Sequence, residues 1–152
     1  MPARMDPYKA SPGAMKPMQA LEAYIHQSGL EQSLIELVKM RASQINGCAF
    51  CIDMHAHDAR KAGESEERLY MLSAWEESTR YTPRERAALA WTEALTLISQ
   101  THAPDADYEA LMQHFSEKEA ADLTLLIGPI NAWNRFAIGF RSVPLSERAK
   151  AA

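Results

Sequence analysis

The stretch CAFCIDMH, residues 48–55, holds both cysteines of the chain and a histidine one helical turn beyond the second cysteine. A disulfide across so short a ring stabilises a fold by about 2 kcal/mol at most, because it removes little loop entropy. The spacing does bring two sulfurs together for thiol–disulfide exchange, peroxide reduction or metal ligation. Thiol chemistry is therefore the leading interpretation, and the surrounding residues must decide its kind.

The composition is typical of one globular domain. The chain has 152 residues, of which 47% are hydrophobic and 24% charged, enough to form a single core. Its net charge of −4 creates no basic field for nucleic acid or anionic membranes. With no secretory leader or membrane-spanning run in the sequence, we expect a cytoplasmic protein that binds neither nucleic acid nor membrane. In a reducing compartment, a C-x-x-C pair is more often catalytic or metal-binding than structural.

Prolines and apolar periodicity divide the chain into two parts. The proline-rich residues 1–17 are predicted to form an extended N-terminal arm, and residues 18–152 a single helical domain. From Met18 onward the apolar residues recur at helical intervals, and no strand-type alternation extends beyond a few residues. The sequence therefore predicts an all-α fold.

Start and stop signals place the individual helices. Two helices separated by Gly29 are predicted to precede the cysteine pair. Capping boxes at residues 82–85 and 116–119 predict a strong helix to about residue 99 and a long apolar helix that reaches Phe140. The Gly-Pro step at residues 128–129 predicts a kink or a break in the long helix.

Asn46 is the predicted N-cap of the helix that carries the cysteines, which would run to about residue 63. Cys48 and Cys51 would then share a face in its first turns, where peptide N–H groups favour thiolate over thiol. His55 would lie one turn beyond Cys51 on the same face and could exchange a proton with its sulfur, directly or through water. This arrangement predicts a cysteine with a proton partner.

Glu36 lies on the preceding helix among apolar residues, where a carboxylate is costly to bury unless it is paired. From spacing alone, an ordinary surface ion pair with Lys39 or Arg41 is the simpler expectation. If the two helices pack as a hairpin, Glu36 would instead approach His55 and Cys51 as a proton acceptor.

Four residues together form a motif of fixed spacing, E-x11-C-x2-C-x3-H: Glu36, Cys48, Cys51 and His55. With this motif the chain resembles the AhpD-like alkylhydroperoxidase group of the carboxymuconolactone decarboxylase family. An N-x-x-N-R pattern at residues 131–135 resembles a second segment of that family. The resemblance covers roughly residues 18–145.

The resemblance implies an AhpD-like all-helical domain, with the C-x-x-C at the N-terminus of a central helix, that assembles as trimers or hexamers. It implies a peroxidase in which Cys51 attacks a hydroperoxide and becomes a sulfenic acid, which Cys48 resolves as a disulfide. Glu36 and His55 would relay the protons. No metal or organic cofactor is expected, but an external dithiol or protein disulfide reductant is. Well-known family members carry a histidine directly before the second cysteine, where this chain has Phe50.

Other functions stay open alongside the peroxidase. Cys48, Cys51, His55 and His57 offer the ligand types of a zinc site, which would make the chain a zinc-holding or redox-sensing protein without turnover. Lactone decarboxylation is disfavoured, because the decarboxylase branch of the family lacks the cysteine pair. Covalent haem is disfavoured as well, because attachment needs a histidine directly after the second cysteine, where Ile52 stands.

Two further groups of residues are candidates for the site or its support. Asn131 and Asn134 are polar residues inside an apolar helix, which predicts buried hydrogen bonds or an interface contact. Phe50, Met54 and Trp133 would form an apolar pocket suited to an organic hydroperoxide if they converge.

Overall fold

The computed structural model describes residues 1–148, and within that range it contains α-helices, one 3₁₀ helix and no strand. The helices are α1 (Pro7–Ala10), α2 (Pro12–Gln27), α3 (Gln32–Asn46), α4 (Ala49–Lys61), α5 (Glu66–Met71), the 3₁₀ helix (Leu72–Glu77), α6 (Pro83–Thr96), α7 (Ile98–Thr101), α8 (Asp105–Met112), α9 (Glu117–Phe140) and α10 (Leu145–Arg148). The predicted all-α fold is confirmed. Residues 149–152 of the predicted domain lie outside the described residues.

The N-terminal segment is helical from Pro7 onward, so the prediction of an extended arm over residues 1–17 is wrong there. The Asp6 carboxylate caps α1 by accepting the backbone N–H of Tyr8 at 2.9 Å, and prolines stand in the first turns of α1 and α2. Proline suits a first turn because its φ is already helical and its missing N–H has no intrahelical partner there. These prolines therefore start helices, and only Pro17 lies inside one.

Helix α3 lies at the centre of the fold and packs against α4, α6 and α9. Every residue from Leu34 to Ser43 except Arg41 is buried. Ile35 and Val38 belong to the largest core cluster, together with apolar residues of α6 and α9. Each such fully buried aliphatic side chain contributes about 2 kcal/mol of transfer free energy. The core thus fixes the helix that carries Glu36.

The turn between α3 and α4 differs from the prediction. Asn46 is the last residue of α3, and Gly47 ends this helix in the left-handed conformation, with φ of 68°. A side chain would be strained in that conformation, which glycine adopts freely. Cys48 is the N-cap of α4, because its sulfur accepts the backbone N–H of Cys51 at 3.3 Å. The predicted N-cap at Asn46 is therefore wrong, although both cysteines do lie at the start of α4.

Both predicted capping boxes are present, at residues 82–85 and 116–119. Helix α6 ends earlier than predicted, and Ile98 is 52% exposed instead of buried. Helix α9 continues through Pro129, so the predicted break is absent. Proline removes one backbone hydrogen bond, but tertiary packing of the buried residues around it holds the helix together. No helix within residues 1–148 combines the length and apolarity needed to cross a membrane.

Candidate active site

An open cavity of about 1400 Å³ is lined by α2, α3, α4, α9 and the N-terminal segment. Part of its wall is apolar and includes the three residues predicted to form a pocket, together with Met5, Tyr8 and Phe136: Phe50, Met54 and Trp133. Cys51, His55 and Glu36 line the same cavity. The structure thus brings three of the four motif residues to one apolar recess, of the kind that binds small organic molecules.

Cys48 and Cys51 are joined by a disulfide, with their Cα atoms 5.3 Å apart. Both cysteines are buried, and they pack with Phe50 and Ala137. Cys51 lines the cavity, whereas Cys48 lies at the helix cap behind it and is not among the lining residues. A ligand in the cavity would therefore meet Cys51 first.

His55 and Glu36 form a buried pair between α4 and α3. His55 Nδ1 lies 3.1 Å from Glu36 Oε2, and the two residues are 6% and 5% exposed. The other carboxylate oxygen accepts Gln32 Nε2 at 2.9 Å. Because a carboxylate only accepts, His55 Nδ1 carries the proton, and Nε2 remains to accept another. The structure favours the hairpin alternative, and the expected ion pair of Glu36 with Lys39 or Arg41 is wrong.

The pKa of Glu36 lies below its ordinary value. Burial raises this pKa, but the hydrogen bond from His55 and the positive charges of His55, Lys39 and His26 together outweigh burial. The carboxylate is therefore ionised at neutral pH, where it orients the His55 imidazole and can stabilise its protonated form.

A second buried ion pair lies in the wall of this cavity, and sequence reasoning missed it. Lys39 Nζ contacts Glu22 Oε2 at 2.5 Å, and Glu22 Oε1 accepts Trp133 Nε1 at 3.1 Å. Both Lys39 and Glu22 line the cavity. The available signal was a lysine one turn after Glu36 in an otherwise apolar run, but its partner lies on another helix.

The N-x-x-N pattern of α9 supports the turn that precedes the cysteines. Asn46 Nδ2 donates to the side-chain oxygens of Asn131 and Asn134, at 2.9 Å each, and Asn134 Nδ2 donates to Ser43 Oγ at 3.0 Å. The predicted buried hydrogen bonds are therefore confirmed. They fix the end of α3 against α9 and so hold the position of Cys48.

The predicted zinc ligands are not assembled in this oxidised form, because the sulfurs of Cys48 and Cys51 are bonded to each other. Within residues 1–148, the grouping that meets cation-binding geometry is Glu36, His55 and Asp58, whose donor atoms lie within 4.8 Å of one another. Its two buried members already satisfy each other through a hydrogen bond. The exposed His57 is not part of that grouping.

Comparison with known proteins shows close relatives of this chain. The model of the carboxymuconolactone decarboxylase family matches residues 12–94. The uncharacterized protein YdfG of Bacillus subtilis (strain 168) is 47% identical over 138 residues, which are 91% of this chain and 94% of that protein. A crystal structure from Agrobacterium tumefaciens, of a protein of unknown function provisionally described as antioxidant defence protein AhpD, is 50% identical with a TM-score of 0.92, over 94% of this chain and 98% of that one. The debrominase Bmp8 shares the fold at 22% identity, with a TM-score of 0.82 over 93% of this chain and 76% of that one.

Proposed function

Because the chain belongs to the carboxymuconolactone decarboxylase family, in its AhpD-like group, we propose that it reduces organic hydroperoxides with its cysteine pair. The observation that carries this proposal is the position of Cys51 on an apolar cavity that also exposes the His55–Glu36 pair. A peroxidase needs a thiolate, a proton donor for the leaving oxygen and a second thiol, and the same few residues offer all three.

The first step converts the Cys51 thiol to a sulfenic acid. His55 Nε2 takes the thiol proton, directly or through water, and the Glu36 carboxylate stabilises the imidazolium that forms. The Cys51 thiolate attacks the terminal oxygen of the hydroperoxide, and the O–O bond breaks. The OH group stays on sulfur, and the departing alkoxide takes the proton from His55 and leaves as an alcohol.

The second step forms the disulfide. The Cys48 thiol attacks the sulfur of the Cys51 sulfenic acid, an S–S bond forms, and the hydroxyl leaves as water with the thiol proton. The Cα separation of 5.3 Å in the oxidised form lies within the ordinary disulfide range. An external dithiol or protein disulfide reductant then supplies two electrons and two protons to restore both thiols.

Intact mass spectrometry on the reduced, chelator-treated protein tests this cycle with one equivalent of cumene hydroperoxide. We expect rapid loss of two hydrogens in the native chain and no such loss in Cys51→Ser. Cys48→Ser should accumulate a Cys51 sulfenic acid that dimedone traps, because the resolving thiol is absent. His57→Gln, which alters an exposed histidine of the same helix, serves as the matched control and should behave as the native chain.

Peroxide-inert thiols in the reduced native chain would contradict the proposal. If the untreated protein then also contained zinc, the zinc-holding or redox-sensing alternative would take its place. Assembly into trimers or hexamers stays a prediction, which light scattering coupled to size-exclusion chromatography would test.

A further inference from the structure

Lys39 is a buried ammonium with unused hydrogen-bonding capacity. The residue is 4% exposed, and its hydrogen-bond partner within residues 1–148 is a single oxygen, Glu22 Oε2. An ammonium has three N–H donors, so two remain beyond the one that Glu22 takes. Burying a charged group without filling its donors is costly unless something else completes the set. Because Lys39 lines the cavity, a ligand bound there can do so.

The position of Lys39 relates it to the reaction centre. It lies one turn after Glu36 on α3, and Glu36 holds His55 across the α3–α4 contact. Its positive charge acts on Glu36, so the two groups share one electrostatic environment. The cavity has two other permanently charged cations, Lys61 and Arg148, and both of these residues are exposed. Lys39 is therefore the desolvated lysine of this cavity, where a charge acts most strongly on a neighbouring oxygen.

Several acidic groups also line this cavity, and they bear on the kind of ligand that Lys39 can meet. They are Asp6, Glu22, Glu36, Asp58 and Glu147. With these carboxylates present, the lining has no excess of positive charge that would attract an anionic substrate. A neutral ligand that becomes negatively charged only during the reaction fits both the acidic lining and the buried ammonium.

We propose that Lys39 is a further catalytic residue, whose ammonium donates a hydrogen bond to the leaving oxygen of the bound hydroperoxide. This inference rests on the proposed peroxidase function. As the S–O bond forms and the O–O bond breaks, the electron pair of the broken bond moves to the leaving oxygen. Lys39 stabilises that negative charge and keeps its own proton, because the proton that the oxygen finally takes comes from His55.

Glu22 is the positioning residue of this arrangement. One of its carboxylate oxygens holds the Lys39 ammonium, and the other accepts the indole N–H of Trp133. The carboxylate is thus fixed between two helices and orients Lys39, while it occupies only one of the three donors. A residue that served only to neutralise Lys39 would not explain why the ammonium lines the cavity.

A leaving-group series separates this role from a structural one. The rate of Cys51 oxidation is measured in the reduced native chain and in Lys39→Met with tert-butyl hydroperoxide, hydrogen peroxide and peracetic acid. We expect Lys39→Met to slow the reaction with tert-butyl hydroperoxide about 100-fold, the size found when one such donor is removed. The loss should shrink in the order given, because acetate is already a stable anion and needs little help.

Two controls make the series specific. Alkylation of Cys51 by iodoacetamide should be unchanged in Lys39→Met, because thiolate formation does not involve the leaving oxygen. Lys61→Met removes the same charge from an exposed position on the same cavity and should leave all three rates unchanged. If Lys39→Met fails to fold by circular dichroism, Lys39→Gln removes the charge while keeping a polar side chain, and the same order of losses is expected.

The outcomes that overturn the inference differ from those that overturn the peroxidase. Equal slowing with all three oxidants, or no slowing with any, would show that Lys39 does not act on the leaving oxygen while peroxide reduction stands. A native chain that is inert to all three oxidants, yet is alkylated at Cys51, would refute the peroxidase and this inference with it.

Discussion

The arginines Arg84 and Arg68 and the cavity residues Lys39 and His55 place charge in the fold in opposite ways. Each arginine contacts two carboxylates, one backbone carbonyl and the face of an aromatic ring. Lys39 and His55 each have one hydrogen-bonded acidic partner within residues 1–148. A cation whose donors are filled stabilises the fold, whereas one with free capacity beside a cavity can act on a ligand.

The arginine clusters also differ from the cavity in solvent access. The Arg84 side chain is 26% exposed and that of Arg68 is 20% exposed, so water screens part of their charge. Arg84 joins α6 to Glu31 before α3 and to Glu119 at the start of α9, and its guanidinium lies 3.9 Å from the centre of the Phe115 ring. These contacts connect three parts of the chain at the surface. The cavity charges lie against the core helix α3, where a small change in position alters the chemistry.

The largest effect that would sharpen this comparison is expected at Glu36 and His55. Glu36→Gln and His55→Gln should each slow Cys51 oxidation by hydroperoxide about 100-fold, because they remove a partner of the proton relay. The urea midpoint should change far less than the rate. Glu67→Gln, at an exposed position of α5, is the matched control for the loss of a carboxylate. Stopped-flow oxidation at full native rate in both relay variants would remove His55 and Glu36 from the mechanism.

The second effect concerns stability and is expected at Arg84. Arg84→Ala should lower the free energy of unfolding by about 1–2 kcal/mol, because two ion pairs and a cation–π contact are lost. The rate of Cys51 oxidation per folded molecule should stay unchanged. Arg60→Ala, which breaks an exposed pair with Glu66, should cost at most about 0.5 kcal/mol in urea unfolding. An Arg84 variant that is stable but slow to react with peroxide would break the division between the two kinds of site.

A third and smaller effect is the pH dependence that Arg84 confers. Its hydrogen bonds lower the pKa of Glu31, and the backbone N–H of Ser116 together with Arg84 lowers that of Glu119. A carboxyl with a lowered folded-state pKa contributes stability that is fully present above its unfolded pKa of about 4.3 and is lost as pH falls through the folded value. Urea unfolding between about pH 7 and about pH 3 should therefore show a shallower acid loss in Arg84→Ala than in the native chain. Parallel pH profiles for the two chains would contradict the assignment.

The smallest effect is expected where α1 meets the cavity. The ring of Tyr8 stacks on that of Trp133, with 6.4 Å between centroids and 13° between planes, and both residues line the cavity. Tyr8→Ala should weaken the reaction with cumene hydroperoxide about 3-fold relative to hydrogen peroxide, since one aromatic contact contributes about 0.5–1.5 kcal/mol. Tyr70→Ala, which removes the exposed tyrosine of α5, should leave that ratio unchanged. An unchanged ratio in Tyr8→Ala would mean that α1 does not contact the substrate.

Local signals in the sequence predicted most of the helices and one part of the site. The capping boxes at residues 82–85 and 116–119 were correct because a cap is formed by residues three apart and needs no tertiary contact. The C-x-x-C likewise lies at a helix start. The prolines of the first 17 residues misled because the same residue that breaks a helix interior is favoured in its first turn. The sequence pattern does not distinguish the two positions without the neighbouring caps.

The sequence by itself determined the fold class, the chemistry-bearing residues and their spacing, because helical periodicity and caps act within a few residues. Only the tertiary structure decided which partner each charge takes: Glu36 pairs with His55 on α4, and Lys39 turns to Glu22 on α2. Such choices depend on how α2, α3 and α4 cross, which the packing of the whole core sets. For the same reason, the cavity that joins Cys51 to Lys39 could be found only once the helices were in place.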